Sequence, residues 1–549
     1  MAGSDDLFQL ADAYYRATWQ RWPTRGSRAG LAEYDSQLEI PDNDLRADQV
    51  RLVRETLRRL QEFEAPAAGT APWLDRVAFE AQLRLEELWL EQIALWRRNP
   101  AEPIEDACAA VFQLLMRRRV EDSDVAQAIV ARLSRLPAYL EAAERTVQDP
   151  VRLWLEAADR AVPGAKELIR SAARAVSARH PRLATEAERA GEAACAAVDR
   201  YREWLAAWRG RALQPSSAIG AGSLRAIVRL AHGLDWDVEQ LLRFAAEQIA
   251  HWEGRLQEAA AELGGDTPWQ QRLAEARTAF AKQTTDLLAE YRRVTGWLRE
   301  QLESSGLVPL PPGEQCLVMA TPEFLRPFIP TAAYSAPGPF EHPQLGIFYV
   351  TVPHPDLPEA EYRDNLGQHF GLEATCVHEA YPGHHVQLCW ANQVASMVRR
   401  LSHHIVFIEG WTLYCEQLVQ ETGLLGDPLL RLEYLHAQLW RAYRVLIDTS
   451  VQCGEMSVEE AEQLLVEALG FSPLRARTEL TWYTQSPGTP MSYMLGKQLT
   501  LQLRDRYRRA FPDADLAAFH RWLLGFGSVP QRWIEQVLEQ CGTASGTAS

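Results

Sequence analysis

From residue 5 to about residue 300, apolar side chains recur at intervals of three and four with few interruptions. Ala, Leu, Glu and Arg dominate, and all are good helix formers. The segment LDRVAFEAQLRLEELWLEQIALWRR, residues 74–98, sets Leu, Phe, Ile and Trp in one stripe among charges. The same texture runs through residues 186–208. An apolar stripe on a helix has to be covered, so this chain is driven to pack helix on helix. No repeat at solenoid periods organises it.

The texture changes near residue 306, where GLVPLPPGEQ forms a Pro/Gly-rich connector. From there to about residue 360 the chain is rich in Pro, aromatic and β-branched residues. GIFYVTV, residues 346–352, is the best strand candidate. Helical texture resumes near residue 367 and runs to about 540. The tail CGTASGTAS is small and polar and reads as disordered. The expected organisation is an N-terminal helical lobe over 1–305, a second lobe over 306–540 with a short β segment at 330–352, and a tail over 541–549.

Bulk charge narrows the partners. The 549 residues carry a formal net charge of -16, with no concentrated basic stretch, which argues against nucleic acid. The first twenty residues hold an early acidic pair and no apolar run, so they do not read as a secretory signal. No stretch is apolar enough to span a membrane. The eight cysteines are scattered without a CxxC pair, and reduced thiols in a cytoplasmic setting are expected.

The chemistry concentrates in EATCVHEAYPGHHVQLCW, residues 373–390. His378 is followed at once by Glu379, then by His384 and His385. In the usual zinc-hydrolase helix, two histidines at i and i+4 bind the metal, and the Glu after the first acts as general base. Here i+4 is Pro382. On a straight helix His385, at i+7, would stand about 10.5 Å along the axis from His378. Two zinc ligands can be only about 4 Å apart. Pro382 and Gly383 provide the bend that brings the later histidines back. His384 is the preferred second ligand and His385 the alternative.

A third ligand is expected downstream, in SHHIVFIEGWTLYCEQLVQ, residues 402–420. Glu409 interrupts an apolar run there, and a buried carboxylate is costly unless it is paired or binds a metal. Glu416, two turns on, is placed to orient a histidine ligand. His403 and His404 have no ligand spacing and read as outer or surface residues. Cys376, Cys389 and Cys415 flank the site, and cysteine ligation is a minor alternative.

HEAYPGHHVQ followed by FIEGWTLYCEQL resembles the DUF-885 family, whose pattern is roughly HEAxPGHHLQ and then EGWALYxE. GLAEYDSQL, AAYSAPG with GIFYV, RAYRVLIDT and SPGTPMSYMLG follow in the family's order, so the resemblance spans nearly the whole chain. It implies a mostly α, multi-helix, two-lobed fold like that of helical zinc metallopeptidases, with a small β element beside the metal-binding helix. His378, His384 and Glu409 would be metal ligands and Glu379 the base. Tyr493, in PMSYMLG, matches a family tyrosine and would donate to an oxyanion. Four positions depart from the pattern: Gln452 stands where a His is usual, Trp482 where an Arg is usual, and Thr489-Pro490 replace a Gln-Ala pair.

The expected activity is zinc-dependent hydrolysis of amide bonds in short peptides or peptide-like small molecules. One Zn2+ is expected, with another divalent metal as the alternative. Arg441 and Arg444 would steady the substrate. Two rival readings remain: a metal-dependent tailoring enzyme acting on a small metabolite, and a non-catalytic metal-binding relative.

Overall fold

The computed structural model describes residues 2–118, 120–211, 213–214, 216–326, 329 and 331–546. It is mostly α-helical with one three-stranded sheet. Helix starts follow local chemistry. Asp42 and Thr70 each cap the helix that follows by accepting a backbone N–H. Asp237 with Gln240 and Ser457 with Glu460 form reciprocal capping boxes. The long stripe at residues 74–98 is α-helical to Glu87, then widens into a π turn over Leu88–Ile93 and ends at Ala94.

Four helices, Glu102–Arg117, Ser123–Thr146, Arg152–Arg179 and Ala184–Trp208, bury their stripes mainly against one another. A second core joins Val238–Glu262 to Pro428–Cys453 and Thr489–Ala510. The largest core gathers Tyr14 and Phe79 with Leu298, Phe348 and Trp411. It holds residues from both sides of position 305, so that sequence boundary falls inside a shared core. The last helix, Gln531–Gly546, runs into the segment expected to be a disordered tail; residues 547–549 lie outside the described residues.

The sheet has the order β1 (Glu314–Ala320), β3 (Gln344–Val350), β2 (Ala332–Ser335). β3 matches the expected strand, although residue 330, where the β segment was placed to begin, lies outside the described residues. β1 has no counterpart in the sequence reading, because EQCLVMA lacks strict alternation. β3 is the central strand, parallel to β1 on one side and antiparallel to β2 on the other. Its near-continuous burial explains the unbroken apolar run. Phe348 packs edge-on against Tyr291 of the helix Leu287–Ser305.

Candidate metal centre

The helix Leu372–Glu379 stops immediately after the His-Glu pair, and a new helix, His384–Ala391, begins after four intervening residues. The expected bend is therefore a full break. Gly383 makes it feasible: a Cβ there would lie 1.9 Å from the His378 carbonyl oxygen and 2.3 Å from that of Val377. Only a residue without a side chain can fold back so closely onto the preceding turn. The connector is held by Trp411, whose Nε1–H donates to the Pro382 carbonyl at 2.9 Å.

Trp411 and Glu409 lie on the helix Ile405–Glu421. This helix crosses Thr489–Ala510 at two facing glycines; a Cβ on Gly410 would come within 2.3 Å of the Gly496 backbone. That contact packs the helix carrying Glu409 against the helix carrying Tyr493.

The result is a convergent triad. Ligand atoms of His378, His384 and Glu409 lie within 4.8 Å of one another, the one such group of three among the described residues. Glu409 Oε2 is 3.4 Å from His378 Nε2 and 3.5 Å from His384 Nε2. It is buried with no well-formed hydrogen bond. Two ligands at about 2.0–2.1 Å from one tetrahedral ion would stand about 3.4 Å apart. The donor spacing thus fits a zinc-sized ion better than it fits hydrogen bonds.

Glu416 orients the first histidine. His378 Nδ1–H donates to Glu416 Oε1 at 2.8 Å, and Gln438 Nε2 donates to Glu416 Oε2 at 3.1 Å. Burial disfavours charging His378, but Glu409 and Glu416 outweigh it and push its pKa up to about 10. Burial likewise opposes ionising Glu409, yet His384 and His378 hold it well below the usual carboxylate range. An arriving metal would displace the His378 proton.

His385 belongs to a different network. Its Nε2–H donates to Glu314 Oε2 at 2.6 Å, and its Nδ1 accepts from Tyr334 Oη at 2.8 Å. Glu314 also accepts from Tyr381 and Arg299. With both ring nitrogens engaged, His385 is not available as the alternative ligand. The cysteines are also set apart. Cys376 pairs with Thr295 and Cys415 with the Pro382 carbonyl, while Cys389 lies 3.7 Å from His385 Nδ1. Burial pushes all three thiols up, which keeps them protonated.

Glu379 sits at the half-buried side of the triad. Burial raises its pKa above the ordinary value; Glu409 adds to this, while His378 and His384 oppose it. The Tyr493 ring stacks on His378 with centroids 6.1 Å apart, and burial keeps its phenol protonated. His404 is buried and hydrogen-bonded to the Ala231 carbonyl. His403 is exposed, but Glu409 and His384 are within its electrostatic reach, which puts it on the solvent side of the site.

The two arginines part ways. Arg444 is fastened by Tyr483 at 2.9 Å and Glu479 at 3.1 Å, and stacks on Trp440, Trp482 and Tyr493. Arg441 lies over Trp440, donates through Nη1 to the Ala437 carbonyl at 3.4 Å and leaves its Nε without a hydrogen bond; among the described residues no carboxylate is within ion-pair distance of it. Trp482 packs edge-on against Tyr493, so the aromatic at that position supports the phenol. Gln452 is fully buried, donates to the Tyr483 carbonyl and caps Ile219 and Gly220 through its own carbonyl. Glu314, Tyr334, Gln438 and Lys497 were missed by sequence reasoning. No local signal singles out Glu314, which opens β1 directly after the Pro/Gly-rich connector.

Fold and site together define a mostly α-helical protein with a His-His-Glu centre on two broken helices and a crossing helix. The chain belongs to the family described as "Bacterial protein of unknown function (DUF885)", whose model matches residues 23–538. None of the curated proteins compared matches it. A solved structure described as a "putative lipoprotein of unknown function" from Shewanella oneidensis is 22% identical, covers 97% of this chain and 99% of its own, and superposes with a TM-score of 0.77. A "putative lipoprotein" from Colwellia psychrerythraea is 17% identical over 99% and 100% of the two chains, with a TM-score of 0.83. These two share the fold.

Proposed function

We propose that this chain is a zinc-dependent hydrolase that cleaves amide bonds in short peptides or peptide-like small molecules. The observation that carries the reading is the convergence of His378, His384 and Glu409 beside Glu379. Two nitrogens and one carboxylate suit zinc and tolerate other divalent transition ions. A zinc ion supplies Lewis acidity, polarising a carbonyl and acidifying water.

The chain's own groups do the rest. Glu379 takes the proton of the attacking water and returns it to the leaving amine. Its raised pKa brings it nearer the pH at which one group can do both. Tyr493 donates a hydrogen bond to the oxygen that gains negative charge. Arg441, stacked on Trp440 and without a carboxylate partner among the described residues, meets an anionic end of the substrate; Arg444 holds the aromatic wall in place. That wall of Trp440, Trp482 and Tyr493 favours a second reading with the same metal, in which a small aromatic metabolite is processed instead of a peptide.

We place the enzyme in a reducing compartment, because the seven described cysteines are all unpaired. No described helix is long and apolar enough to cross a membrane. The decisive experiment is metal analysis of purified protein together with Glu379→Gln, assayed on a library of fluorogenic short peptides. The variant is expected to keep about one zinc per chain while activity falls about 10²- to 10⁴-fold. Full activity in Glu379→Gln would refute the mechanism.

A further inference from the structure

A cavity of about 650 Å³ that the mechanism does not use is lined by Arg431, Tyr434 and Leu435 from the first turns of the helix Pro428–Cys453. Lys497 lines it, although the residue is only 1% exposed. A buried ammonium ordinarily has a carboxylate partner. Among the described residues, none lies within ion-pair distance of Lys497. Its Nζ donates to Gln438 Oε1 at 2.7 Å and to the Tyr434 hydroxyl at 3.4 Å, which leaves one of three donors for the cavity.

The remaining lining gives the cavity its chemistry. The Trp252 ring lies 4.2 Å from Lys497 Nζ, and Tyr434 packs edge-on against Trp252. Glu421, the lining carboxylate, is already paired with Arg504 at 2.7 Å. Arg255 and Arg431 stand at the mouth in solvent-exposed ion pairs that cost little to loosen. Burial pulls Lys497 down to about 7, against the opposite pull of Glu416 and Glu421, so the fold leaves this charge short of compensation.

Lys497 is also connected to the metal centre. Gln438 accepts from Lys497 through Oε1 and donates to Glu416 Oε2 through Nε2 at 3.1 Å; Glu416 Oε1 accepts from His378 at 2.8 Å. An amide has one accepting and one donating end, so this chain of bonds has a fixed direction. A change in the charge facing Gln438 alters the carboxylate that sets the basicity of His378.

We propose that this cavity is a second ligand site, for a small anion with a flat aromatic body held by Lys497 and Trp252, and that its occupancy is transmitted to His378 through Gln438 and Glu416. The site stands on its own geometry; the transmission rests on the metal reading.

Benzoate is the probe, with benzyl alcohol as its neutral counterpart, titrated calorimetrically into chelator-stripped and zinc-loaded protein. Benzoate is expected to bind the stripped protein with Kd at or below about 1 mM, and benzyl alcohol at least about tenfold more weakly. Lys497→Met should weaken benzoate about tenfold or more and leave benzyl alcohol unchanged. Trp252→Leu should weaken both, and it keeps the test open if Lys497→Met does not fold. No benzoate binding below about 5 mM, or equal binding to Lys497→Met, overturns the site. Zinc and benzoate should change each other's affinity by one common factor of about three or more, and Gln438→Leu should abolish that factor. Equal benzoate affinity with and without bound zinc overturns the transmission while the site stands. Protein that takes up no zinc at all, yet binds benzoate, overturns the metal reading instead.

Discussion

Two adjacent histidines, His384 and His385, should respond in opposite ways to truncation. His384 Nε2 faces Glu409 Oε2 across 3.5 Å, and its Nδ1 is buried without a partner. His384→Ala removes one of three ligands and, in metal-free protein, one of the two histidines that hold the buried Glu409 ionised. Zinc affinity should fall well beyond the 10–100-fold that loss of an outer-shell partner costs, on the order of 10³-fold or more. His385→Ala leaves the triad intact but takes a 2.6 Å hydrogen bond from Glu314, whose side chain is 2% exposed. Removing one partner of a buried charge costs about 3–5 kcal/mol. Arg299 and Tyr381 still hold Glu314, which puts the cost near the lower end, about 3 kcal/mol. The assay is zinc content by mass spectrometry beside urea unfolding of the chelator-stripped proteins. If His385→Ala lost its zinc with wild-type stability while His384→Ala kept it, the assignment of both residues would be wrong.

Three further outcomes are expected. Gly383→Ala should destabilise the chain by about 3 kcal/mol or more and weaken zinc binding, because its Cβ would collide with the His378 carbonyl at 1.9 Å; unfolding curves with zinc titration check this. Tyr493→Phe should retain zinc and lower kcat about 10²-fold, with KM little changed; an unchanged kcat removes Tyr493 from the chemistry. His520, buried between the Tyr414 hydroxyl and the Leu307 carbonyl, is lowered by burial to about 4. Its folded pKa lies below its unfolded value of about 6.5, so its stabilisation is present above about 6.5 and is lost as pH falls toward 4. Between pH 7 and pH 5 the wild type should lose up to about 2 kcal/mol relative to His520→Gln, read by urea unfolding at both values.

Local chemistry alone accounts for much of this protein. Helical periodicity marks the mostly α fold, the caps mark helix starts, and the run GIFYV marks the central strand. The His-Glu pair, the stranded Glu409 and the Pro-Gly break were legible because each is a short-range anomaly: a titratable cluster, a carboxylate among apolar residues, a helix breaker inside a motif.

What the tertiary structure decided is which groups meet. The sequence prefers His384 but leaves His385 open; what occupies His385 is Glu314, some seventy positions earlier, on a strand the periodicity does not reveal. Arg441 and Arg444 look alike in sequence, yet Arg444 is fastened by Glu479, whereas among the described residues Arg441 has no carboxylate within ion-pair distance. The boundary at residue 305 was drawn from a change of texture, whereas the core forms wherever apolar faces find cover, and these faces found it across that line. Sequence spacing governs contacts within one helix. Contacts between helices depend on backbone approach, set here by Gly383 against His378 and Gly410 against Gly496, and only the folded chain brings those pairs together.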